Sequence, residues 1–142
     1  SGKKIKINMR IIVDSNVLIS ALIKDSTTRK IIIKSGLDFY YPKISFQEIE
    51  NHKDLILKKS EMTLEQYNTL LSKLFRYIRI IPNEKILEKL EEAKRIMNLI
   101  DPQDTIFIAC AITFNSPIWT DDKDFEKQNK VKILKTKDML RL

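Results

Sequence analysis

The stretch that most constrains this chain is a short apolar run that ends in a carboxylate, Arg10-Ile11-Ile12-Val13-Asp14. Residues 11–13 leave no room for a polar face, which is typical of a strand buried on both sides in a parallel sheet. Ligands of open parallel sheets collect at the carboxyl ends of the strands, where Asp14 lies. An aspartate in this place can equally cap the helix that follows it. The positions of the other acidic residues decide between these two interpretations.

Strand-like and helix-like segments alternate along the whole chain. The predicted strands span residues 7–13, 37–41, 78–81, 118–119 and 131–134. The predicted helices span residues 16–23, 26–35, 45–59, 63–75, 83–99, 105–114 and 123–128, with a last helix capped by Thr136. Ser45 with Glu48, and Thr63 with Gln66, have the spacing of capping boxes. This alternation predicts an α/β sandwich around a parallel sheet of four or five strands, with the strongly apolar helix 105–114 at its centre.

Composition limits the class of protein and of partner. The length of 142 residues suits one domain over residues 1–142, with Ser1 and Gly2 interpreted as a cloning remnant. A net charge of +7 favours a polyanionic partner, with nucleic acid ahead of a membrane surface, although a lysine-rich solvated surface gives the same charge. No apolar run approaches membrane-spanning length, and the single cysteine allows no internal disulfide. We therefore expect a cytoplasmic protein.

Four acidic residues occupy equivalent places at strand ends or helix starts. Asp14 ends the first strand, Glu48 lies in the first turn of a helix, Asp104 begins the central helix and Asp122 follows the fourth strand. Each has a structural alternative as a cap or as a favourable charge at a helix N-terminus. Strand ends and helix starts share one rim of a parallel α/β sheet, so we expect the four carboxylates to converge.

Converging carboxylates need a counterion, because they repel one another. Oxygen ligands, without a cluster of cysteine and histidine, favour Mg²⁺ or Mn²⁺ over zinc. Such a metal ion can bind a phosphate oxygen and lower the pKa of a bound water. The basic surface would then hold the backbone of a nucleic acid.

Three sequence motifs and one helix, taken in order, resemble those of PIN-domain nucleases. They are Val13-Asp14-Ser15-Asn16-Val17-Leu18-Ile19, the helix that carries Glu48, Asp104-Thr105-Ile106-Phe107-Ile108-Ala109-Cys110-Ala111, and Trp119-Thr120-Asp121-Asp122-Lys123-Asp124-Phe125. The resemblance implies a three-layer, Rossmann-like αβα fold and Mg²⁺- or Mn²⁺-dependent cleavage of single-stranded RNA. Prokaryotic members are often VapC-type toxins, so it also implies an antitoxin partner and a homodimer.

The resemblance also implies roles for particular residues. The catalytic and metal-binding acids would be Asp14, Glu48, Asp104 and Asp122. The supporting residues would be Asn16, Thr120 and Asp124. Asp121 remains an alternative to Asp122, which we prefer because it lies two residues after Thr120, as in the family pattern.

Other polar residues near these motifs have simpler interpretations. Asp101 precedes Pro102 and suits a loop or cap, and Glu50 should point away from Glu48. His52 lies one helical turn beyond Glu48, but a surface histidine is the more typical interpretation. The last twenty residues are basic and either follow a phosphate backbone or form a solvated face. These basic residues are Lys123, Lys127, Lys130, Lys132, Lys135, Lys137 and Arg141.

Two other classes of protein compete with a metal-dependent nuclease. A HAD-like phosphohydrolase also places an aspartate after its first strand, but it needs an acid two residues later. Asn16 occupies that position here and cannot supply a proton, and Glu48 would have no role. The second alternative is a non-catalytic RNA-binding module on the same fold, against which the presence of all four acids counts.

Overall fold

The central element is a five-stranded sheet whose strands are all parallel. We describe it in a computed structural model, which covers residues 9–24, 26–96 and 101–142. The strands are β1 (Arg10–Val13), β2 (Asp38–Pro42), β3 (Ile78–Ile81), β4 (Ile118–Trp119) and β5 (Ile133–Leu134). The predicted parallel sheet is confirmed. Strand β5 is shorter than predicted, and residues 7 and 8 of the first predicted strand lie outside the described residues.

The spatial order of the strands is β3-β2-β1-β4-β5. The chain moves outward from β1 to β3 and then returns to the other side of β1, so the direction of winding reverses between β1 and β4. Doubly wound sheets bind ligands at this reversal, outside the carboxyl ends of the two strands. Asp14 follows β1 and Thr120 follows β4, and the pairing of Val13 with Trp119 brings these residues to the same level.

Helices cover both faces of the sheet, as the prediction of an αβα sandwich requires. They are α1 (Ser15–Ile23), α2 (Thr27–Lys34), α3 (Phe46–Asn51), α4 (Lys53–Ser60), α5 (Leu64–Leu74), α6 (Asn83–Leu87), α7 (Leu90–Ile96), α8 (Pro102–Phe114) and α9 (Thr136–Met139). Helix α1 contacts α2 to α5, whereas α8 lies across β1, β2 and β4 and carries α6 and α7. Right-handed crossovers place these two groups on opposite faces. None of the helices among these residues is both long and apolar enough to cross a membrane.

Two predicted helices are interrupted. The predicted helix 45–59 breaks at His52. The ring nitrogen Nδ1 of His52 lies 2.7 Å from the carbonyl oxygen of Glu48, which also accepts a hydrogen bond from the His52 backbone N–H. The predicted helix 83–99 breaks after Leu87, where the Lys89 N–H bonds to the Ile86 carbonyl in a tighter turn. Residues 97–99 of that prediction lie outside the described residues.

One of the two predicted capping boxes is wrong. At α5, Thr63 and Gln66 exchange the expected hydrogen bonds, of 2.9 and 3.1 Å. At α3, Ser45 has helical backbone angles instead of the extended ones that a cap needs, so its hydroxyl oxygen has no hydrogen-bond partner among the described residues. Glu48 is therefore free of the capping role that its spacing predicted.

Candidate metal centre

Asp14 lies between β1 and α1, but its side chain does not cap that helix. Its Oδ2 atom accepts a hydrogen bond of 2.7 Å from the hydroxyl of Thr120. The N–H groups of Asn16 and Ser15 are close enough to lower the pKa of Asp14, yet neither forms a capping hydrogen bond. Asp14 is thus the N-cap residue of α1 by its backbone conformation, but its carboxylate accepts its side-chain hydrogen bond from the loop after β4.

Thr120 connects two of the predicted acids. It is fully buried after β4, donates to Asp14, and accepts a hydrogen bond of 3.0 Å from the backbone N–H of Asp122. Because β4 pairs with β1, this single hydroxyl spans the strand ends at the point where the winding reverses. Thr120 therefore joins Asp14 to the Asp122 loop, and its predicted supporting role in a metal site stays a prediction.

Replacing Thr120 with Val should uncouple Asp14 from this loop. The Asp14 carboxylate would lose its hydrogen bond, so we expect its pKa to rise above the present value of about 6. Leaving a buried acceptor unpaired should lower the free energy of unfolding at neutral pH by about 1–3 kcal/mol. Denaturant unfolding measures the change. Thr113→Val is the control, since among the described residues the Thr113 hydroxyl bonds only to the carbonyls of Lys85 and Ala109. The coupling of Asp14 to the loop through Thr120 would be contradicted if both variants lost the same free energy of unfolding at pH 7.5 and both bound Mn²⁺ as the parent does.

Three aspartates form a tight cluster at the same rim. One carboxylate oxygen each from Asp104, Asp122 and Asp124 lies within 4.8 Å of the others. Asp104 lies in the first turn of α8, while Asp122 caps the short turn of residues 123–127 by accepting from the Asp124 N–H at 2.9 Å. Asp124 also pairs with Lys127 at 3.0 Å. Asp124, which the sequence predicted only as a supporting residue, is thus one of the three clustered acids.

The pKa values connect this cluster to Asp14. Burial, followed by the charges of Asp14 and Asp122, raises the pKa of Asp104 from 3.8 to about 7. Burial also raises the pKa of Asp14 to about 6, with the Thr120 hydrogen bond opposing this and the charge of Asp122 adding to it. These carboxylates therefore repel one another within one electrostatic site, and a divalent cation would relieve that repulsion.

Glu48 lies at the margin of the site. It is not part of the cluster of three aspartates, but burial and then the charge of Asp14 raise its pKa, while the Ser15 hydroxyl lowers it. Its Oε1 atom is buried and has no hydrogen-bond partner among the described residues. An all-oxygen donor set with an unpaired buried carboxylate oxygen fits a hard cation such as Mg²⁺ or Mn²⁺.

Adjacent Asp121 and Asp122 face different neighbours. Asp121 accepts hydrogen bonds from the Thr136 N–H at 2.8 Å and from the Thr136 hydroxyl at 2.6 Å, so it holds the start of α9. Asp122 lies in the cluster and borders a cavity of about 300 Å³. The other residues that line this cavity are Asn16, Val17, Ser20, Thr28 and Asp121.

The remaining polar residues behave as their local sequence predicted. Asp101 caps α8 through a hydrogen bond of 3.0 Å from the Gln103 N–H. Glu50 is exposed and lies 3.8 Å from Lys53, away from the site. His52 is exposed, although its charged form would lower the pKa of nearby Glu48.

Sequence reasoning did not identify two buried hydroxyl groups beside Glu48. The Ser15 hydroxyl lies 2.7 Å from the hydroxyl of Tyr41, which donates to the Ser45 carbonyl at 2.7 Å. Ser15 directly follows Asp14, but nothing in the local pattern around Tyr41 indicates the partner of its hydroxyl, because that partner comes from a different element.

The chain belongs to the PIN-domain family, whose family model matches residues 12–141. The family expected from the motifs is therefore confirmed. A search among curated proteins finds no match.

Three solved structures share this fold at low sequence identity. The complex of VapBC2 from Rickettsia felis with a promoter DNA fragment has a TM-score of 0.69 and 15% identity, covering 89% of this chain and 98% of that one. A toxin–antitoxin complex from Klebsiella pneumoniae has a TM-score of 0.64 and 15% identity, with coverage of 89% and 97%. FitAB bound to a DNA fragment has a TM-score of 0.52 and 18% identity, with coverage of 89% and 94%. These similarities support the three-layer fold.

Proposed function

We propose that this protein is a metal-dependent endoribonuclease that cleaves single-stranded RNA. The observation that carries the proposal is the group of carboxylates at the point where the sheet's winding reverses. It comprises the Asp104, Asp122 and Asp124 oxygens within 4.8 Å of one another, and Asp14 tied to the same loop through Thr120. Membership of the PIN-domain family supports a nuclease on independent grounds.

The ligands of the metal ion would be Asp14, Glu48, Asp104 and Asp122, with Asp124 assisting. Mg²⁺ or Mn²⁺ bound there would supply Lewis-acid polarisation of a phosphate oxygen and an activated water. Thr120 keeps Asp14 and the Asp122 loop at a fixed separation through its two hydrogen bonds. Burial of Asp14 and half-burial of Asp104 exclude part of the solvent, which strengthens every charge interaction in the site.

RNA is the proposed substrate because the acidic site lies in a basic protein. The net charge is +7, and several cations follow the Asp122 loop in the chain. Lys127 already reaches Asp124, at 3.0 Å. Lys130 and Lys132 precede β5 at the opposite edge of the sheet, beside Ser116 and Pro117. The exposed cations on the site's side of the sheet are Lys123, next to Asp122, and Lys137, in the helix whose start Asp121 holds. They would hold the phosphate backbone that the carboxylates alone repel, so binding should weaken steeply as salt rises.

The biological context we propose is a cytoplasmic toxin–antitoxin pair of the VapBC type. The solved structures that share the fold include a VapBC2 complex and a toxin–antitoxin complex. The partners would be an antitoxin protein and a second copy of this chain. A HAD-like phosphohydrolase fits less well, because Asn16 is exposed at the position where that chemistry needs an acid.

Two adjacent aspartates provide a matched test of the proposal. Asp122→Asn and Asp121→Asn each remove one negative charge at neighbouring positions. We expect Asp122→Asn to lower Mn²⁺-dependent cleavage of a single-stranded RNA oligonucleotide by more than about 100-fold, since loss of even an outer partner of a metal ligand costs about 10–100-fold. Asp121→Asn should keep cleavage and lose about 1 kcal/mol of unfolding free energy, because it weakens the cap of α9.

Each assay needs a reaction with a metal chelator and one with DNA of the same sequence. Cleavage that persists with the chelator would count against the metal, and absence of cleavage in the parent protein would support the non-catalytic alternative. Equal losses in both variants would mean that general charge near the loop, and not a ligand role of Asp122, controls activity.

A further inference from the structure

We propose that Ser15 and Tyr41 are positioning residues that hold the Glu48 segment at a fixed distance from Asp14. The inference rests on the proposed function, since it assigns these two hydroxyl groups to the metal site. Tyr41 is fully buried and Ser15 is 1% exposed, so neither can contact RNA directly.

The Tyr41 hydroxyl connects the beginnings of two helices. It donates to the Ser45 carbonyl at 2.7 Å, immediately before α3, and lies 2.7 Å from the hydroxyl of Ser15, the first residue of α1. Asp14 directly precedes Ser15, and Glu48 lies in the first turn of α3. One phenol therefore links the backbone segments that carry two of the acids.

The direction of the hydrogen bonds follows from the number of protons. A carbonyl oxygen only accepts, so the single proton of Tyr41 is used toward Ser45. The Ser15 proton is then donated to the Tyr41 oxygen, at 2.7 Å. The Ser15 and Tyr41 hydroxyl groups thus form one chain of hydrogen bonds from the start of α1 to the turn before α3.

The ring and the hydroxyl of Tyr41 make separate contacts. The aromatic ring of Tyr41 packs against the rings of Phe46 and Phe107, with ring centroids 5.5 and 6.1 Å apart. A phenylalanine would make the same contacts. Packing therefore accounts for the ring, whereas the hydroxyl is needed only for the connection.

The test compares Tyr41→Phe and Ser15→Ala with Tyr67→Phe, by titration calorimetry with Mn²⁺ and by thermal unfolding without metal. Tyr67 is a matched control, because its hydroxyl is buried and has no hydrogen-bond partner among the described residues. We expect about 10–100-fold weaker Mn²⁺ binding in the first two variants, the range found for outer partners of metal ligands. The control should stay within about twofold of the parent.

A second comparison shows whether the effect acts through Glu48. In a Glu48→Gln background, Tyr41→Phe should weaken Mn²⁺ binding no further, because residues that act through one contact are not additive. The Mn²⁺ concentration that half-saturates RNA cleavage should rise in Tyr41→Phe, while the rate at saturating Mn²⁺ stays near that of the parent.

Four results would overturn the inference. A lower melting temperature with unchanged Mn²⁺ affinity in both variants would make the hydroxyl groups purely structural. An equal loss with and without Glu48 would show that they do not act through that residue. A parent that binds no Mn²⁺ would refute the proposed function as well, whereas a parent that binds and cleaves normally, with unaffected variants, would refute only this inference.

Discussion

Replacing Asp104 with Asn is expected to abolish activity while leaving the metal-free protein as stable as the parent or more stable. Burial and the charges of Asp14 and Asp122 already raise the pKa of Asp104 to about 7, so its negative charge opposes folding at neutral pH. Asparagine keeps the shape of the side chain and removes that charge. Cleavage should nevertheless fall by more than about 100-fold, since a proposed metal ligand is lost.

Thermal unfolding with and without Mn²⁺, alongside RNA cleavage, measures both effects. Mn²⁺ should raise the melting temperature of the parent through linkage and that of Asp104→Asn much less. Asp101→Asn is the control, because Asp101 caps the same helix through the Gln103 N–H and lies outside the cluster of three aspartates. Asparagine caps nearly as well as aspartate, so a purely structural Asp104 would tolerate the same change. Unchanged cleavage in Asp104→Asn would show that Asp104 is not a ligand of the metal ion.

Raising the pH should destabilise the metal-free protein and strengthen its binding of Mn²⁺. The pKa values of Asp14 and Asp104 rise on folding from 3.8 to about 6 and about 7. The folded state therefore binds more protons than the unfolded state between about pH 4 and about pH 7. The stability associated with this is fully present below the unfolded pKa and is lost as the pH rises through the folded values. Metal must displace the same protons, so its affinity should increase across that window.

Unfolding by denaturant at a series of pH values, with and without Mn²⁺, measures this dependence. Below both folded pKa values, each displaced proton should change the apparent Mn²⁺ affinity by about tenfold per pH unit. Asp104→Asn should make the stability of the metal-free protein less dependent on pH near 7, because it removes the group with the higher pKa. Metal-free stability that rises between pH 5 and pH 7 in the parent, with no difference in the variant, would contradict the shared electrostatic site.

Local patterns were sufficient to predict the elements that carry the site. The apolar run of β1 and the nearly uniform apolar composition of α8 determine two buried elements. Asp104, Asp122 and Asp124 lie close together where the strand ends and helix starts meet, whereas Glu48 lies outside that cluster. The order of the strands was not predictable from these patterns, because pairing joins segments as distant as β1 and β4. The break at His52 was also missed, since the spacing of the apolar residues continues through it.

Contacts between distant residues explain what the sequence left open at the site. Asp121 and Asp122 are adjacent in sequence but have different partners. Asp121 binds Thr136 at the start of α9, later in the chain, whereas Asp122 lies in the cluster of three aspartates. The spacing of Ser45 and Glu48 correctly predicted the start of a helix. Ser45 itself already has helical backbone angles, however, so its side chain forms no cap. The strand pattern around Tyr41 predicts a buried ring but not the partner of its hydroxyl, so its contact with Ser15 required the fold.

Anomalous diffraction from crystals grown with Mn²⁺ would locate the proposed metal ion directly. We expect a Mn²⁺ peak at the carboxyl ends of β1 and β4, coordinated by the carboxylates of Asp14, Glu48, Asp104 and Asp122, with Asp124 beside it. Oxygen ligands of such a cation should lie at about 2.0–2.2 Å. A Mn²⁺ peak found only at other surface carboxylates would contradict the proposed site. So would the absence of a peak at this rim, if protein from the dissolved crystals cleaves RNA with Mn²⁺.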